Sequence, residues 1–354
     1  MIKVLVVDDS AVMRTFLAKV VGAQPDMELM GVASDPLLAI DRIRRAPPDV
    51  MTLDVEMPRM NGLDFLRKLM AVRPLPVVMV SSLTQQGAEA TLRALELGAV
   101  DFFPKPSSIE ELEATGPEIA EKIRAAAQAR VGRRGWTPTP AMDSGFAPLH
   151  APSVLRPAAP SAASGTIIGI GASTGGVEAL RHILTALPAD MPPIVIAQHM
   201  LPGFTQTFAR RLDAICELHV KEAQDGQEAL PGGVYVAPGG RHLVVQRSGN
   251  GGYRLRLSDE APVNRHRPSV DTLFRSLAEA AGEKCIALIL TGMGADGAEA
   301  MVTLRRAGAM TLAQDEASCI VFGMPRQAIA MGGAQEVVGL GEVAERLREL
   351  AGES

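Results

Sequence analysis

The chain has few cysteines, no strong charge of either sign and no long apolar run, and each shortage excludes something. Three cysteines in 354 residues (Cys216, Cys285 and Cys319) stand far apart with no pairing pattern. That argues against a disulfide framework or a zinc site and leaves three apolar side chains of a reducing compartment. Lys and Arg number 35 against 40 Asp and Glu, a formal net charge of −5, so no basic surface calls for nucleic acid. No hydrophobic stretch approaches the roughly 20 residues of a membrane span. The opening Met1-Ile-Lys-Val enters a strand pattern at once, so a cytoplasmic chain without a signal peptide is expected. No short-period repeat is visible. What remains is an ordinary globular composition, 47% hydrophobic and 21% charged, at a length that suits two domains.

Residues 1–125 alternate two signals. Short Val-rich runs at Ile2–Val7, Glu28–Ala33, Val50–Leu53, Val77–Val80 and Ala99–Phe103 read as strands. Helix-period stretches such as Ala11–Val21 and Gly87–Leu97 lie between them, and Ile109–Arg130 reads as a last helix. Five such units predict a doubly wound parallel α/β sheet with right-handed crossovers. Over 126–165 the pattern gives way to Pro, Ala and Ser without apolar period, as expected of an extended linker. From 166 to 354 a second α/β pattern runs, with strands expected at Ile167–Ile170, Ile194–Ala197, Leu218–Lys221, Val234–Val236, Ile286–Leu290 and Met310–Ala313. His242–Arg247 and Tyr253–Leu257 alternate about Ser-Gly-Asn-Gly-Gly and predict an added antiparallel hairpin. The expectation for this half is a Rossmann-like, mainly parallel α/β domain.

Parallel strands end at one edge, and that edge is where ligands bind. In the first half Asp8 and Asp9 follow the first strand, Asp54 ends the third, Ser81 the fourth, and Lys105 follows the fifth. Three carboxylates gathered there repel unless a cation sits among them, and hard oxygen ligands suit Mg²⁺. Asp54 is then a candidate phosphoryl-accepting nucleophile, with Lys105 beside the incoming oxygens and Ser81 able to hydrogen-bond them. Pro58 and Gly62 turn the chain from that strand into the next helix.

In the second half a strand runs into Gly171-Ala-Ser-Thr-Gly-Gly176 and a helix. A dinucleotide fingerprint finds glycines at 169 and 171, but Thr174 stands where its third belongs, and the next strand ends in Gln198-His199 rather than an acid. Gly171-x-Ser173-x-Gly175 also matches a nucleophile elbow, although a serine there equally suits a plain helix cap. His199 at the next strand end and Asp296 after the strand at 286–290 shift the balance. One sheet edge can gather all three as nucleophile, general base and orienting acid. Backbone N–H groups after Ser173 would hold an oxyanion, with Thr174 and Met293 as the oxyanion or substrate candidates. Asp296, lying between glycines, could instead simply cap a helix. His242 and His266 lie in loops near these elements.

Residues 1–125 resemble the response-regulator receiver domain through Asp8-Asp9, Asp54 with Met-Pro-Arg-Met-Asn-Gly, Val-Met-Val-Ser-Ser and Gly-Ala-Val-Asp-Phe-Phe-Pro-Lys-Pro. That resemblance implies phosphorylation of Asp54 by a histidine kinase. It also implies Mg²⁺ held by Asp9, Asp54, the backbone carbonyl of Glu56 and, through water, Asp8. Phe102 takes the place of the family's switch aromatic, beside Ser81 and Lys105. Residues 166–350 resemble the catalytic domain of the chemotaxis protein-glutamate methylesterases. The matching segments are Ile170-Gly-Ala-Ser-Thr-Gly-Gly, Gln198-His-Met-Leu-Pro-Gly-Phe-Thr, Tyr235-Val-Ala-Pro-Gly-Gly-Arg-His, Arg267-Pro-Ser-Val-Asp271, Thr291-Gly-Met-Gly-Ala-Asp-Gly, and Ala313-Gln-Asp-Glu with Gly323-Met-Pro. The resemblance implies a phosphorylation-activated hydrolase of glutamate methyl esters, and of glutamine amides, on chemoreceptor helices. It puts the triad on Ser173, His199 and Asp296 with no cofactor for hydrolysis. A monomer without a nucleic-acid partner and without direct membrane insertion is expected. Competing expectations are a phosphorylation-gated scaffold with a dead catalytic half, a nicotinamide enzyme, and a transcription factor. The last has no basic helix pair to support it.

Overall fold

The computed structural model describes residues 1–57, 60–82, 84–106, 109–129, 131, 165–249 and 251–352. The chain forms two compact units, Met1–Asp143 and Ser144–Ser354. Most of the expected linker at 126–165 lies outside the described residues, as do Pro58 and the hairpin-turn residue Asn250.

In the first unit, strands β1 (Ile2–Val7), β2 (Met27–Ala33), β3 (Val50–Asp54), β4 (Val77–Ser81) and β5 (Asp101–Pro104) alternate with helices α1 (Ala11–Gly22), α2 (Pro36–Arg45), α3 (Gly62–Val72), α4 (Gln85–Glu96) and α5 (Ile109–Ala127). Strand order is β2-β1-β3-β4-β5, all parallel. Helix starts are written locally. Ser10, Asp35, Asn61 and Thr84 cap α1 to α4, each side chain accepting a first-turn N–H. The central strands are apolar on both faces and buried, as a sheet covered on both sides requires. Each fully buried Val, Leu or Met contributes about 1.5–3 kcal/mol by leaving water. The order reverses between β1 and β3, so the open crevice at the C-terminal edge lies beside Asp8 and Asp54.

The second unit contains β6 (Ile167–Ala172), β7 (Ile194–Gln198), β8 (His219–Glu222), β9 (Glu228–Ala229), β10 (Gly233–Val236), β11 (His242–Arg247), β12 (Tyr253–Ser258), β13 (Cys285–Ile289), β14 (Met310–Gln314) and β15 (Glu336–Val338). Its helices are α6 (Gly176–Leu184), α7 (Phe204–Asp213), α8 (Val270–Ala280), α9 (Ala298–Arg306), α10 (Met324–Ala330) and α11 (Val343–Ala351). A parallel sheet runs β15-β14-β13-β6-β7-β10-β8, and the antiparallel hairpin joins β9 as β11-β12-β9. The expected strands recur to within two residues at each end. Strands β9 and β15 are too short to show a period and were not foreseen. Two glycines on β6 have a packing reason. A Cβ on Gly169 would lie 2.3 Å from Leu277 Cδ1, and one on Gly171 2.2 Å from Val270 Cγ1. They let α8 lie close against the strand, which accounts for both without a dinucleotide. The order reverses between β13 and β6, so β6, β7 and β13 end side by side at one edge.

Candidate functional site

At the edge of the first sheet Asp8, Asp9 and Asp54 converge, with one carboxylate oxygen from each lying within 4.8 Å of the others. Asp8 and Asp54 are buried and Asp9 is exposed. Lys105 Nζ donates to Asp54 Oδ2 at 2.7 Å and stands 3.7 Å from Asp8 Oδ2. Glu56 N donates to Asp54 Oδ1 at 3.2 Å, which brings the Glu56 backbone to the same carboxylate. A Cβ on Gly62 would lie 2.0 Å from the Asp54 carbonyl oxygen, so only glycine lets α3 begin against the end of β3. One lysine does not neutralise this cluster. Burial, and then the neighbouring Asp8 charge, push the Asp54 carboxyl up to about 7 despite Lys105. Burial likewise holds Asp8 above its ordinary value. Asp8 Oδ2 is buried without a hydrogen-bond donor, a costly state that a divalent cation would relieve. The donor set therefore fits a hard cation such as Mg²⁺. Ser81 Oγ donates to Gly87 O at 3.1 Å, toward α4. Phe102 is buried on β5, with Lys122 Nζ 5.8 Å from its ring centroid.

At the edge of the second sheet the three expected residues meet. Ser173 follows β6, His199 follows β7 and Asp296 lies in the loop between β13 and α9. His199 Nδ1 is 3.1 Å from Ser173 Oγ, and His199 Nε2 is 2.7 Å from Asp296 Oδ2. A carboxylate can only accept, so Nε2 carries the proton there and Nδ1 is left to accept from the serine hydroxyl. Burial alone would raise the Asp296 carboxyl. The hydrogen bond and charge of His199, then donors from Asn264 and Val270, hold it well below the carboxylate range. Asp296 also does what the plainer reading of its sequence suggested. Its Oδ2 accepts from Val270 N at 2.6 Å, and its Oδ1 from Asp271 N at 3.2 Å. It thus sits on the first turn of α8 while it orients the imidazole. Ser173's own N–H is committed to Thr291 O at 3.1 Å. Thr174 follows it, its carbonyl accepting from Thr291 Oγ1 at 3.0 Å. Met293 adjoins Gly292, where a Cβ would come 2.7 Å from Ser173 Cβ.

Gln198, Asn264 and Ser269 were not singled out from sequence, whereas His242 and His266 stood out as loop histidines near these elements. Gln198 Nε2 donates to the carbonyls of Ser173 at 3.0 Å and His199 at 3.2 Å, tying nucleophile and base together. Asn264 Nδ2 donates to Asp296 Oδ1, and Ser269 Oγ does so as well, both at 2.8 Å. His266 stacks on His199 with ring centroids 3.7 Å apart and planes 12° from parallel. His242 is structural. Buried, it accepts from Ser269 N through Nδ1 at 3.2 Å and reaches Ala261 O through Nε2 at 3.1 Å. The available signals were weak. Ser269 has the form of a helix cap, and Gln198 adjoins a suspect histidine; nothing in sequence ties Asn264 to Asp296.

Residues 168–347 match the family model described as CheB methylesterase, and residues 4–115 the response regulator receiver domain. A protein-glutamate methylesterase/protein-glutamine glutaminase of Pectobacterium atrosepticum is 56% identical over 98% of this chain and 96% of its own length. The protein of that name from Salmonella typhimurium is 53% identical over the same shares. The catalytic domain of Thermotoga maritima CheB methylesterase superposes with a TM-score of 0.51 at 45% identity, covering 53% of this chain and 99% of that domain.

Proposed function

The chain belongs to the CheB methylesterase family, with a response-regulator receiver in front of the hydrolase, and from that premise we propose that Ser173, His199 and Asp296 carry its chemistry. The protein is a phosphorylation-regulated protein-glutamate methylesterase and protein-glutamine glutaminase, a hydrolase of a chemotaxis two-component system. We assign the receiver to residues 1–125, a linker to 126–165 and the catalytic domain to 166–354. The observation that carries the triad is the His199 imidazole suspended between Ser173 Oγ and Asp296 Oδ2.

In this reading Ser173 Oγ attacks the γ-carbonyl of a glutamate methyl ester while His199 Nδ1 takes its proton. The imidazolium, steadied by Asp296, returns that proton to the methoxide, which leaves as methanol. Water then cleaves the acyl-serine by the same proton route, releasing the glutamate carboxylate. On glutamine the leaving group is ammonia. Thr174 and Met293 supply the oxyanion N–H groups, supported by Thr174 following Ser173 in the chain and Met293 following Gly292, which packs against Ser173. No step of hydrolysis calls for a metal.

Asp54 accepts the phosphoryl group from a kinase phosphohistidine, the P–N bond breaking as its carboxylate oxygen bonds phosphorus. Mg²⁺ held by Asp9, Asp54, the Glu56 carbonyl and, through water, Asp8 would supply positive charge beside the phosphoryl oxygens. Lys105 supplies a second cation, and Ser81 and Phe102 are the switch pair. A receiver implies a kinase as phosphodonor and a methylesterase implies a chemoreceptor as substrate. We place the substrate esters on the receptors' cytoplasmic helices and the enzyme in the cytoplasm as a monomer. Among the described residues no helix is long and apolar enough to cross a membrane. The test is methanol release from methylated receptor membranes, with and without a small-molecule phosphodonor. Ser173→Ala is expected to abolish release, and Asp54→Ala to abolish only the response to the phosphodonor. Full activity in Ser173→Ala would remove the triad reading.

A further inference from the structure

We propose that Asn264 is a positioning residue of the catalytic triad, its side-chain amide holding Asp296 in line with His199. The inference rests on the triad reading above. Asp296 accepts five hydrogen bonds: from His199 Nε2 and Val270 N on one oxygen, and from Asn264 Nδ2, Ser269 Oγ and Asp271 N on the other. Three of those donors belong to the cap and first turn of α8. Among the described residues, Asn264 is the one donor besides His199 that comes from elsewhere in the chain.

The amide has a second partner. Asn264 Nδ2 also donates to Asp271 Oδ2 at 2.8 Å, so its two N–H groups bridge two buried carboxylates that would otherwise face each other. Asp271 is in turn fixed to α9, its Oδ1 accepting from Ala300 N at 2.9 Å. Through Asn264 the acid of the triad is therefore braced against a carboxylate anchored on two helices. Burial raises Asp271 and the Asn264 hydrogen bond lowers it, and the same amide lowers Asp296.

The backbone is built to deliver this amide. Asn264 has φ of 52° and Arg265 68°, a left-handed pair in which asparagine is among the best-tolerated side chains. Two residues on, His266 lies flat on the ring of His199. One short turn thus touches the acid through a hydrogen bond and the base through a stacked face. Other charged or titratable groups facing this cluster are Arg275, 3.8 Å from Asp271 Oδ2, and Glu299, 3.0 Å from Arg275.

The experiment uses the full chain, phosphodonor and methylated receptor membranes, and follows methanol release against pH. Asn264→Gly keeps the left-handed backbone permissible and deletes only the amide. Its kcat is expected to fall on the order of 10- to 100-fold with KM unchanged. Its acid-side loss of activity should begin at higher pH, because Asp271, already raised by burial, takes up a proton sooner once stripped of that donor. Asn264→Asp keeps shape and backbone but turns a donor into an acceptor between two carboxylates, and should lose more. Thermal melts of each variant fix the folded fraction. An unshifted pH profile, with kcat lowered only in proportion to that fraction, would overturn the proposal; so would kcat within about twofold of wild type in Asn264→Asp. Ser173→Ala runs alongside: activity surviving there removes the triad itself, whereas its loss beside an unchanged Asn264→Gly removes only this inference.

Discussion

Replacing Asp296 by asparagine is the sharpest perturbation of the proposed machinery, because every neighbour of that carboxylate is a donor. The new amide has two orientations. With its NH₂ toward His199 and Val270, the imidazole escapes conflict by moving its proton to Nδ1, and one N–H, that of Val270, is left facing a donor. With its NH₂ toward the other side it meets Asn264 Nδ2, Ser269 Oγ and Asp271 N. The serine hydroxyl can rotate away, so two N–H groups remain opposed. A buried donor left unmade costs about 1–3 kcal/mol. The first orientation is therefore favoured by about one such term, roughly 5- to 150-fold. In that orientation Nδ1 carries a hydrogen toward Ser173 Oγ, 3.1 Å away, and cannot take the serine's proton. The loss of negative charge behind the imidazolium comes on top, and the same exchange in a serine protease costs on the order of 10⁴ in kcat. For Asp296→Asn we expect kcat for methanol release down by about 10³–10⁴ with little change in KM, in a protein destabilised by about 1–3 kcal/mol. A loss smaller than about fivefold would refute the reasoning, since the misoriented tautomer alone exceeds it.

Three further outcomes follow from the receiver. The Asp54 carboxyl lies at about 7, above its ordinary 3.8, so it gains a proton as pH falls through that range and loses both nucleophilicity and affinity for a cation. Phosphorylation by a small-molecule donor at limiting Mg²⁺ should fall below about pH 7, and saturating Mg²⁺ should move the midpoint lower; a metal-independent midpoint near 3.8 would contradict the cluster. The same raised value adds stability in acid that is lost as pH rises from about 3.8 to about 7, visible in denaturation of the metal-free protein. Gly62→Ala places a methyl 2.0 Å from the Asp54 carbonyl oxygen, backbone that cannot yield without moving the end of β3. A destabilisation of at least about 1–3 kcal/mol is expected for the receiver transition, together with slower phosphorylation; an unchanged melt would show that α3 shifts freely.

Much of this was legible in the residues, for a physical reason. Buried parallel strands are continuous apolar runs, and a polar residue at the end of one stands at the sheet edge whatever the rest of the chain does. Asp54, Ser173 and His199 could be placed that way, and the glycines and caps marked where the next helix began. Residues that act from segments without period could not. Asn264 begins a pair of successive left-handed residues, a backbone choice that leaves no hydrophobic pattern, and the same turn carries His266, which the sequence marked only as a loop histidine. Strands β9 and β15, of two and three residues, take their pairing from neighbours rather than from their own alternation. Gly169 and Gly171 suggested a phosphate-binding turn; only the approach of Val270 and Leu277 reveals them as room for a helix.

The two sites also separate the effect of position from that of environment. Asp8 follows a strand at a sheet edge and Asp296 lies in the loop after one; both are buried to 2% exposure or less, yet their carboxyls shift in opposite directions. Burial acts on both alike. The difference is the supply of donors. Asp8 receives Ser10 N on one oxygen and no hydrogen bond on the other, while Asp9 next to it adds a like charge. Asp296 receives five donors on about four lone-pair directions. An acid so saturated has no capacity left for a cation, and its charge is fixed, which suits a residue that must hold one imidazole tautomer through every turnover. An acid left under-supplied holds a proton more readily until a cation arrives, which suits a group whose state must change with a signal. The donor count around each carboxylate, more than its place in the fold, sorts the input site from the catalytic one.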